Sequence, residues 1–528
     1  MPNGDLDPSE SLPTIRRQLQ RWETRRREFL GNPADPGQLT TDLTNTTHLF
    51  AYLDGNRRHL DFRHLTPYRE ALDADTAQLG RLLPDAWGAA LRTHAVARAG
   101  WREEEALLST MSAARERLTT DRATLLSTLK VSAAGGPETA FARLIGGLQA
   151  ADSRRKLATV WERLSDKALP ALTEATDRVI DARWSRARAA GHASPLAATL
   201  QRSRIDEHTA EAFLTDYLTY AVTTHRGVEA TVSDATGCPD DPMTHFAAYL
   251  NSIASGERMP SIPLSACVDT AMEVIENVFG HRTVREDYAD TVVLTLWSAD
   301  SPKGTIQVDC APLQSSQGAD LPADLPIGRA LARCRSTAVG RTLTFEGAHS
   351  LMHEFGHAVN HVLLDPRPAG STGVEYLPVE RLEDLSAWFE KWVNHPRFIE
   401  RVPAPDRGRL PLAARIKATE FHASQLQRAV VALMDFRLHQ TETSVTSAFH
   451  EVCAEAEAEG LCHLADLVPH FGAAVFRAHP GLAGLCYVRS YAFAAETFRL
   501  ADPREALRPC LDPTLASATL PVPRWAAS

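Results

Sequence analysis

The chain is poor in lysine, in paired cysteines and in long apolar runs. Of its 56 basic residues only six are Lys (Lys130, Lys156, Lys167, Lys303, Lys391 and Lys417) and the rest are Arg. With abundant Ala, that skew points to a GC-rich bacterial coding sequence and says nothing of function. Eight cysteines are spread over 528 residues and none forms a Cys-x-x-Cys pair. The low density and the lack of such pairs read as reduced, mostly buried thiols in a cytoplasmic protein. No run reaches the about 18 apolar residues that a membrane-spanning helix needs, so no membrane partner is expected. The acidic, polar start Met1-Pro2-Asn3-Gly4-Asp5 has no secretory-signal core. Gly-x-Ser-x-Gly is absent, which removes the serine-hydrolase elbow. Gly135-Gly136 and Gly146-Gly147 lack the Lys-Ser/Thr of a phosphate loop and read as turn or helix-packing glycines. Pro239-Asp240-Asp241-Pro242 has no Ca²⁺-loop spacing around it. Acidic residues outnumber basic ones, 66 to 56, for a formal charge of −10. Such a surface repels phosphate backbones, so nucleic acid is not an expected partner.

What is present is mostly helical patterning. Apolar residues recur at spacings of three and four from about Thr14 to Lys130, as at Leu19, Trp22 and Phe29 and again at Leu107, Leu108 and Met111. Helical segments are expected around 139–163, from about Leu169 to Ala190, and from about 346 to 505, with an extended tail after Pro509. The exception lies in the middle. Thr291–Trp297 and Gly304–Cys310 are rich in β-branched residues and predict two strands around a turn at 299–304. A polar loop at 312–326 follows. No repeat of fixed period is present.

Just beyond that loop the chain reads His349-Ser-Leu-Met-His353-Glu354-Phe-Gly-His357-Ala-Val-Asn-His361. His353-Glu354-Phe355-Gly356-His357 is an H-E-x-x-H. On a helix, residues four apart are turned by about 40° and raised by about 6 Å, so both imidazoles point to one side and can share one Zn²⁺. Glu354 sits beside that face, where a carboxylate can take the proton of a water whose pKa the metal lowers. Chance alone places this pattern in about one chain in twenty of this composition, so the surroundings matter. Leu351, Met352, Phe355, Ala358, Val359, Val362 and Leu363 make the segment apolar around most of its girth, and buried histidines and a glutamate need partners. His349 and His361 read as packing or supporting residues, because a stripe of four His spans about 18 Å of helix and one zinc cannot take them all.

A catalytic zinc keeps three protein ligands and one open position. After a loop at 365–373, a second helix is expected from about Val379 to Trp392. Geometry alone leaves three carboxylates competing for the third place: Glu380, Glu383 and Asp384. Glu390 shares a face with Glu383 and is placed to accept a hydrogen bond from the ligand set.

Glu383-Asp-Leu-Ser386-Ala-Trp-Phe-Glu390-Lys-Trp392, together with His353–His357, resembles the zinc oligopeptidases related to thimet oligopeptidase, oligopeptidase A and the dipeptidyl carboxypeptidases. Those proteins carry His-Glu-Phe-Gly-His and then Glu-x-x-Ser-x-x-x-Glu-x-Trp. The resemblance extends to Leu343-Thr344 and Gly304–Asp309 upstream. Downstream it takes in Phe421–Gln425, Met434-Asp435, His439 and the Tyr-rich run Tyr487–Phe498, so that it covers roughly 290–500. It implies Glu383 as the third ligand, and Tyr487 as a donor to the oxyanion of the tetrahedral intermediate. Two positions depart from the family. The His after Phe471-Gly472 is Ala473, with His470 or His479 as the nearest substitutes, and one family Tyr falls at about Gly484. These changes imply altered gripping of substrate.

The resemblance implies a mainly α, two-lobed zincin-type metallopeptidase with a deep central channel and a small β-sheet near the active site. Residues 1–225 are expected to form one wall of the channel and 226–528 the catalytic zinc-binding region. One Zn²⁺ is the expected cofactor and a short peptide or peptide-like molecule the expected substrate, with strand 304–310 pairing along it. Two alternatives are a divergent member acting on one small amide metabolite in a biosynthetic pathway, and a non-catalytic zinc-bearing peptide-binding protein. The intact Glu354 argues against the latter.

Overall fold

A computed structural model describes residues 85–512, apart from 134–135, 202, 255, 289–290, 300, 310–329, 336–340, 365–376, 456–459 and 472–478. The helical patterning expected for 14–84, the loop at 312–326, Ala473 and the tail beyond 512 lie outside the described residues. The principal helices are α1 (Asp85–Thr128), α2 (Pro137–Gly147), α3 (Ala151–Ala189), α4 (Glu207–Thr236), α5 (Leu264–Asn277), α6 (Phe345–Leu363), α7 (Asp384–Glu390), α8 (Leu410–Ala423), α9 (Gln425–Gln440), α10 (Ala483–Thr497) and α11 (Arg504–Leu511). Six strands, β1 (Ile262–Pro263), β2 (Arg282–Asp287), β3 (Thr291–Ser298), β4 (Ser301–Asp309), β5 (Ala330–Arg335) and β6 (Thr342–Leu343), form two small sheets. The mainly α fold with a small sheet is as the sequence implies.

Helix breaks fall elsewhere than expected. The gap between 163 and Leu169 does not exist, because α3 runs through Pro170 to Ala189. Its buried residues on either side of the proline, Ala158 and Leu172 among them, keep the segment helical despite one missing N–H. The real break is at 148–150, after Gly146-Gly147. A Cβ on Gly146 would lie 2.9 Å from the Ala247 carbonyl oxygen, so this glycine serves helix packing. Near the C-terminus, α11 carries Pro509 inside it and runs on through Cys510 and Leu511, two residues into the stretch expected to be extended.

The larger sheet has the order β2-β3-β4-β5. β3 and β4 are antiparallel, joined by a two-residue turn that puts Ala299 at φ 49. Val292, Leu294 and Leu296 of β3 and Ile306 and Val308 of β4 are fully buried. β4 and β5 are parallel, with Ile306 opposite Ala332. Both edges of β4 are thus paired, which removes 304–310 as a strand to which a peptide can add; β5 occupies that edge. β2 and β5 escaped the sequence reading. β2 is an edge strand of mostly charged residues, and β5 (Ala-Leu-Ala-Arg-Cys-Arg) has no β-branched residue.

Two apolar cores organise the described chain. One joins α5, β3, β4, α6 and α7 through residues such as Val268, Leu294, Met352, Phe355 and Trp388. The other joins α1, α3, α4 and α9 through residues such as Met111, Leu172, Leu214, Leu433 and Phe436. α10 crosses between them, with Leu485 and Val488 in the second and Ala494 in the first. Among the described residues no helix is long and apolar enough to cross a membrane.

Candidate active site

The helix α6 begins where Thr344 caps it, its hydroxyl accepting from the Gly347 amide at 3.0 Å. Its apolar girth is buried as expected, with Leu351, Met352, Phe355, Ala358 and Val359 at 0–1% exposure. His353, Glu354 and His357 are half-buried on the remaining side.

The expected helix over 379–392 is broken. A 3-10 turn covers Val379–Arg381, α7 begins only at Asp384, and another 3-10 turn covers Lys391–Asn394. Glu383 sits at the break with φ −102 and ψ 2, where Ser386 Oγ donates to its carbonyl oxygen at 2.9 Å and approaches its Oε2 at 2.8 Å. α7 lies hard against α6. A Cβ on Gly356 would fall 2.4 Å from Ser386 Cα and 2.6 Å from the Leu385 carbonyl oxygen. Only glycine at the fourth place of His-Glu-Phe-Gly-His permits this approach, and the approach delivers Glu383 to the histidines.

His353 Nε2 and His357 Nε2 are 3.1 Å apart, and Glu383 Oε2 lies 3.3 Å from the first and 3.0 Å from the second. Among the described residues these three form the one cluster suited to a metal ion. For ligands at 2.0–2.1 Å around tetrahedral Zn²⁺, the ligand–ligand separation is about 3.3 Å. The residues therefore fit the metal in spacing and in type. The chemistry of the donors agrees. His353 Nδ1 meets Glu390 Oε1 at 2.6 Å, so the carboxylate accepts the Nδ1 proton and turns Nε2 toward the cluster, where it can coordinate a metal. Two imidazole nitrogens and a carboxylate oxygen converging on one point call for a cation, whether a proton or a metal ion.

The two other competing carboxylates are engaged elsewhere. Glu380 accepts from Ser203 Oγ at 2.8 Å and from the Arg204 amide at 3.1 Å. Asp384 is fully buried, ion-paired with Arg489 of α10 and accepting from Ser490 Oγ at 2.9 Å. Burial opposes the charge on Glu383, yet His357 and His353 hold its carboxyl well below the usual carboxylate range. Burial likewise opposes a proton on His353, while Glu383 and Glu390 together raise its pKa well above the ordinary imidazole value, so a metal bound here would take the place of a proton on Nε2. His349 stands 3.5 Å from Glu390 Oε2, supporting the carboxylate that supports His353.

Tyr487 on α10 is half-buried and shares a hydrogen bond with Glu383; the charge of Glu383, then burial, push its phenol up. Tyr491, one turn later, responds to burial and to the charges of Glu390 and Glu383 in the same way. Gly484 does not face this site. A Cβ there would lie 2.4 Å from Ala432 Cβ, so no side chain of any size fits, and the helix instead presents Tyr487 and Tyr491. Sequence reasoning missed the parts played by Gly356, Ser386 and Tyr491. The i, i+4 spacing from Tyr487 was the signal for the last.

No protein-family model matches the chain. Oligopeptidase A of Escherichia coli is 23% identical over 223 residues, 36% of this chain and 32% of that protein. Oligopeptidase A of Haemophilus influenzae is 24% identical over 225 residues, 37% of this chain and 32% of that protein. The matched stretch is thus about a third of the length of these curated relatives. Among solved structures, one bearing the name oligoendopeptidase F aligns with a TM-score of 0.50 at 11% identity, covering 96% of this chain and 89% of that one. PZ peptidase A, solved with an inhibitor, aligns with a TM-score of 0.51 at 11% identity over 95% of this chain and 89% of that one. At such identity the likeness is one of fold. The resemblance to oligopeptidases read from the motif stands, as that of a divergent relative.

Proposed function

We propose that the protein is a zinc-dependent peptidase hydrolysing peptide bonds in short oligopeptides. The observation that carries this reading is the convergence of His353 Nε2, His357 Nε2 and Glu383 Oε2 on one point, with Glu354 on the same helix. When bound there, Zn²⁺ supplies a Lewis acid that polarises a substrate carbonyl and lowers the pKa of water. The protein's own groups do the rest. Glu383 and the two imidazoles hold the metal, and Glu390 keeps the proton of His353 on Nδ1 so that Nε2 stays available. Glu354 removes the proton from the attacking water and hands it to the leaving amine. The neighbouring charge and burial keep Tyr487 protonated, and so able to donate to the carbonyl oxygen as it gains charge.

The same reading assigns 226–528 to the catalytic region and 1–225 to one wall of a channel that admits short, unfolded peptides. It also places the protein in the cytoplasm. All six described cysteines with resolved surroundings are free thiols and five are buried.

Replacing Glu354 by Gln tests the proposal. The variant is expected to keep one zinc per chain by metal analysis and to lose about 10²–10⁴-fold in hydrolysis of a mixed peptide library followed by mass spectrometry. A chelator is expected to silence the unmodified protein in the same assay. Full hydrolysis by Glu354→Gln removes that residue from the role of base.

A further inference from the structure

Two residues that follow Tyr487 on α10 tie that helix to the segment carrying Glu383. Arg489 and Ser490 lie within one helical turn of the tyrosine and are buried, at 2% and 0% exposure. Arg489 Nη1 donates to the Glu380 carbonyl oxygen at 3.1 Å and to Asp384 Oδ1, and Ser490 Oγ donates to the same Oδ1 at 2.9 Å. These acceptors flank Glu383. One belongs to the 3-10 turn before it and the other to the first residue of α7 after it. Tyr487 itself shares a hydrogen bond with Glu383. The apolar contacts of α10 are of another kind. Leu485 and Val488 enter one core and Ala494 the other, and such contacts carry no direction.

The ion pair is poorly built for stability. Asp384 is fully buried, and its Oδ2 makes no hydrogen bond among the described residues. Two charges taken out of water with one oxygen unanswered recover less than their desolvation costs, and an apolar pair of similar size would join the helices at least as well. What an apolar pair lacks is a fixed direction.

We propose that Asp384 and Arg489 are a positioning pair: they set α10 against the residues around Glu383, so that the Tyr487 phenol stands where a peptide carbonyl oxygen gains charge. This rests on the peptidase reading above, in which Tyr487 is the donor. The pair acts through the ring and not on the reacting atoms. The segment around Glu383 thereby becomes the common reference for both halves of the site. α6 meets α7 at Gly356, and α10 meets the residues on either side of Glu383 through Arg489 and Ser490. A slip of α10 by one residue would turn the ring away by about 100°. Smaller displacements also cost rate, because an oxyanion donor works only within hydrogen-bond reach of the oxygen.

The test replaces the pair by apolar residues of similar size, Asp384→Leu with Arg489→Met, and separately makes Arg489→Lys, which keeps the buried charge without the fork. Each is made with Tyr487 intact and with Tyr487→Phe. Hydrolysis is followed on a quenched fluorescent peptide taken from the sequences that the library assay shows to be cleaved. With Tyr487 intact, the apolar pair is expected to lower kcat about 10²-fold and to leave KM within about twofold, with one zinc per chain and no fall in unfolding temperature. Arg489→Lys should recover part of the lost kcat. In the Tyr487→Phe background neither change should lower kcat more than about twofold, because the group that the pair places is gone. A loss of equal size in both backgrounds, a loss confined to KM, or no loss overturns the proposal. Should the apolar pair fail to fold, the two Arg489→Lys proteins carry the same comparison. A second measurement needs no turnover. With 3-fluorotyrosine at position 487 of the zinc-loaded protein, the fluorine resonance is expected to move when the apolar pair is introduced and to move less in Arg489→Lys. A resonance that stays in place overturns the proposal. An unmodified protein that cleaves no peptide of the library refutes the peptidase, while the resonance still decides whether the pair places the ring.

Discussion

Among the described residues, two clusters of histidine and carboxylate, one half-buried and one buried, have opposite characters. In one, His353, His357 and Glu383 meet with their Nε2 and Oε2 atoms inward. In the other, between α1, α3 and α9, Arg183 donates to Glu104 at 2.6 Å and pairs with His439 Nε2 at 3.0 Å. His439 Nδ1 donates to the Asp435 carbonyl oxygen at 2.7 Å and stands 3.1 Å from the Asp435 carboxylate. Arg183 fills from within the place that a metal would take at the first cluster. Residue types alone do not distinguish the two, since both are mixtures of His and acid. What separates them is whether the protein supplies its own cation.

The sharpest way to break the comparison is to remove the internal cation. Arg183→Met is expected to destabilise the fold by about 3–5 kcal/mol, because Glu104 and His439 lose a buried partner, with Arg186 retaining part of the pairing. Thermal or denaturant unfolding measures this, and zinc stoichiometry should stay at one. Loss of zinc together with stability would mean that the clusters are not independent.

A smaller effect tests the delivery of Glu383. Gly356→Ala drives a methyl group into the backbone of α7 and is expected to cost about 1–3 kcal/mol of stability. Unlike Arg183→Met, it should also weaken zinc binding in competition with a chelator, because Glu383, the proposed third ligand, immediately precedes α7. Unchanged zinc affinity would show that α6 and α7 need not touch for the site to form.

The mildest change is Glu390→Gln. It keeps the shape and a hydrogen bond to His353 Nδ1 but removes the charge that supports it. Zinc affinity is expected to fall about 10–100-fold with little change in unfolding. A drop in stability as large as that of Arg183→Met would make Glu390 a structural residue like Glu104.

The contrast also explains what could be read in advance. His353, Glu354 and His357 were legible because a helix sets the relation between residues four apart by itself. The burial of α6 was legible from its unbroken apolar girth. The two strands at 291–297 and 304–310 showed through their β-branched residues, whereas β2 and β5 did not, since neither has a composition that betrays a strand. The continuity of α3 through Pro170 was hidden because packing along its length outweighs one lost hydrogen bond. Gly484 read as a lost tyrosine, but it is the point where α10 meets Ala432, and no alignment of letters reveals a contact between helices.

The sequence by itself determined the local half of the site: two imidazoles and a carboxylate on one amphipathic helix, whose geometry follows from hydrogen bonds within a few residues. Which acid completes the cluster the sequence suggested only through resemblance; the physical reason lies in the tertiary structure. Glu380 is drawn off by Ser203, 177 residues away, and Asp384 by Arg489, 105 residues away. Three adjacent acids look alike along a chain, and they become different only when distant segments fold against them and bury each in its own company.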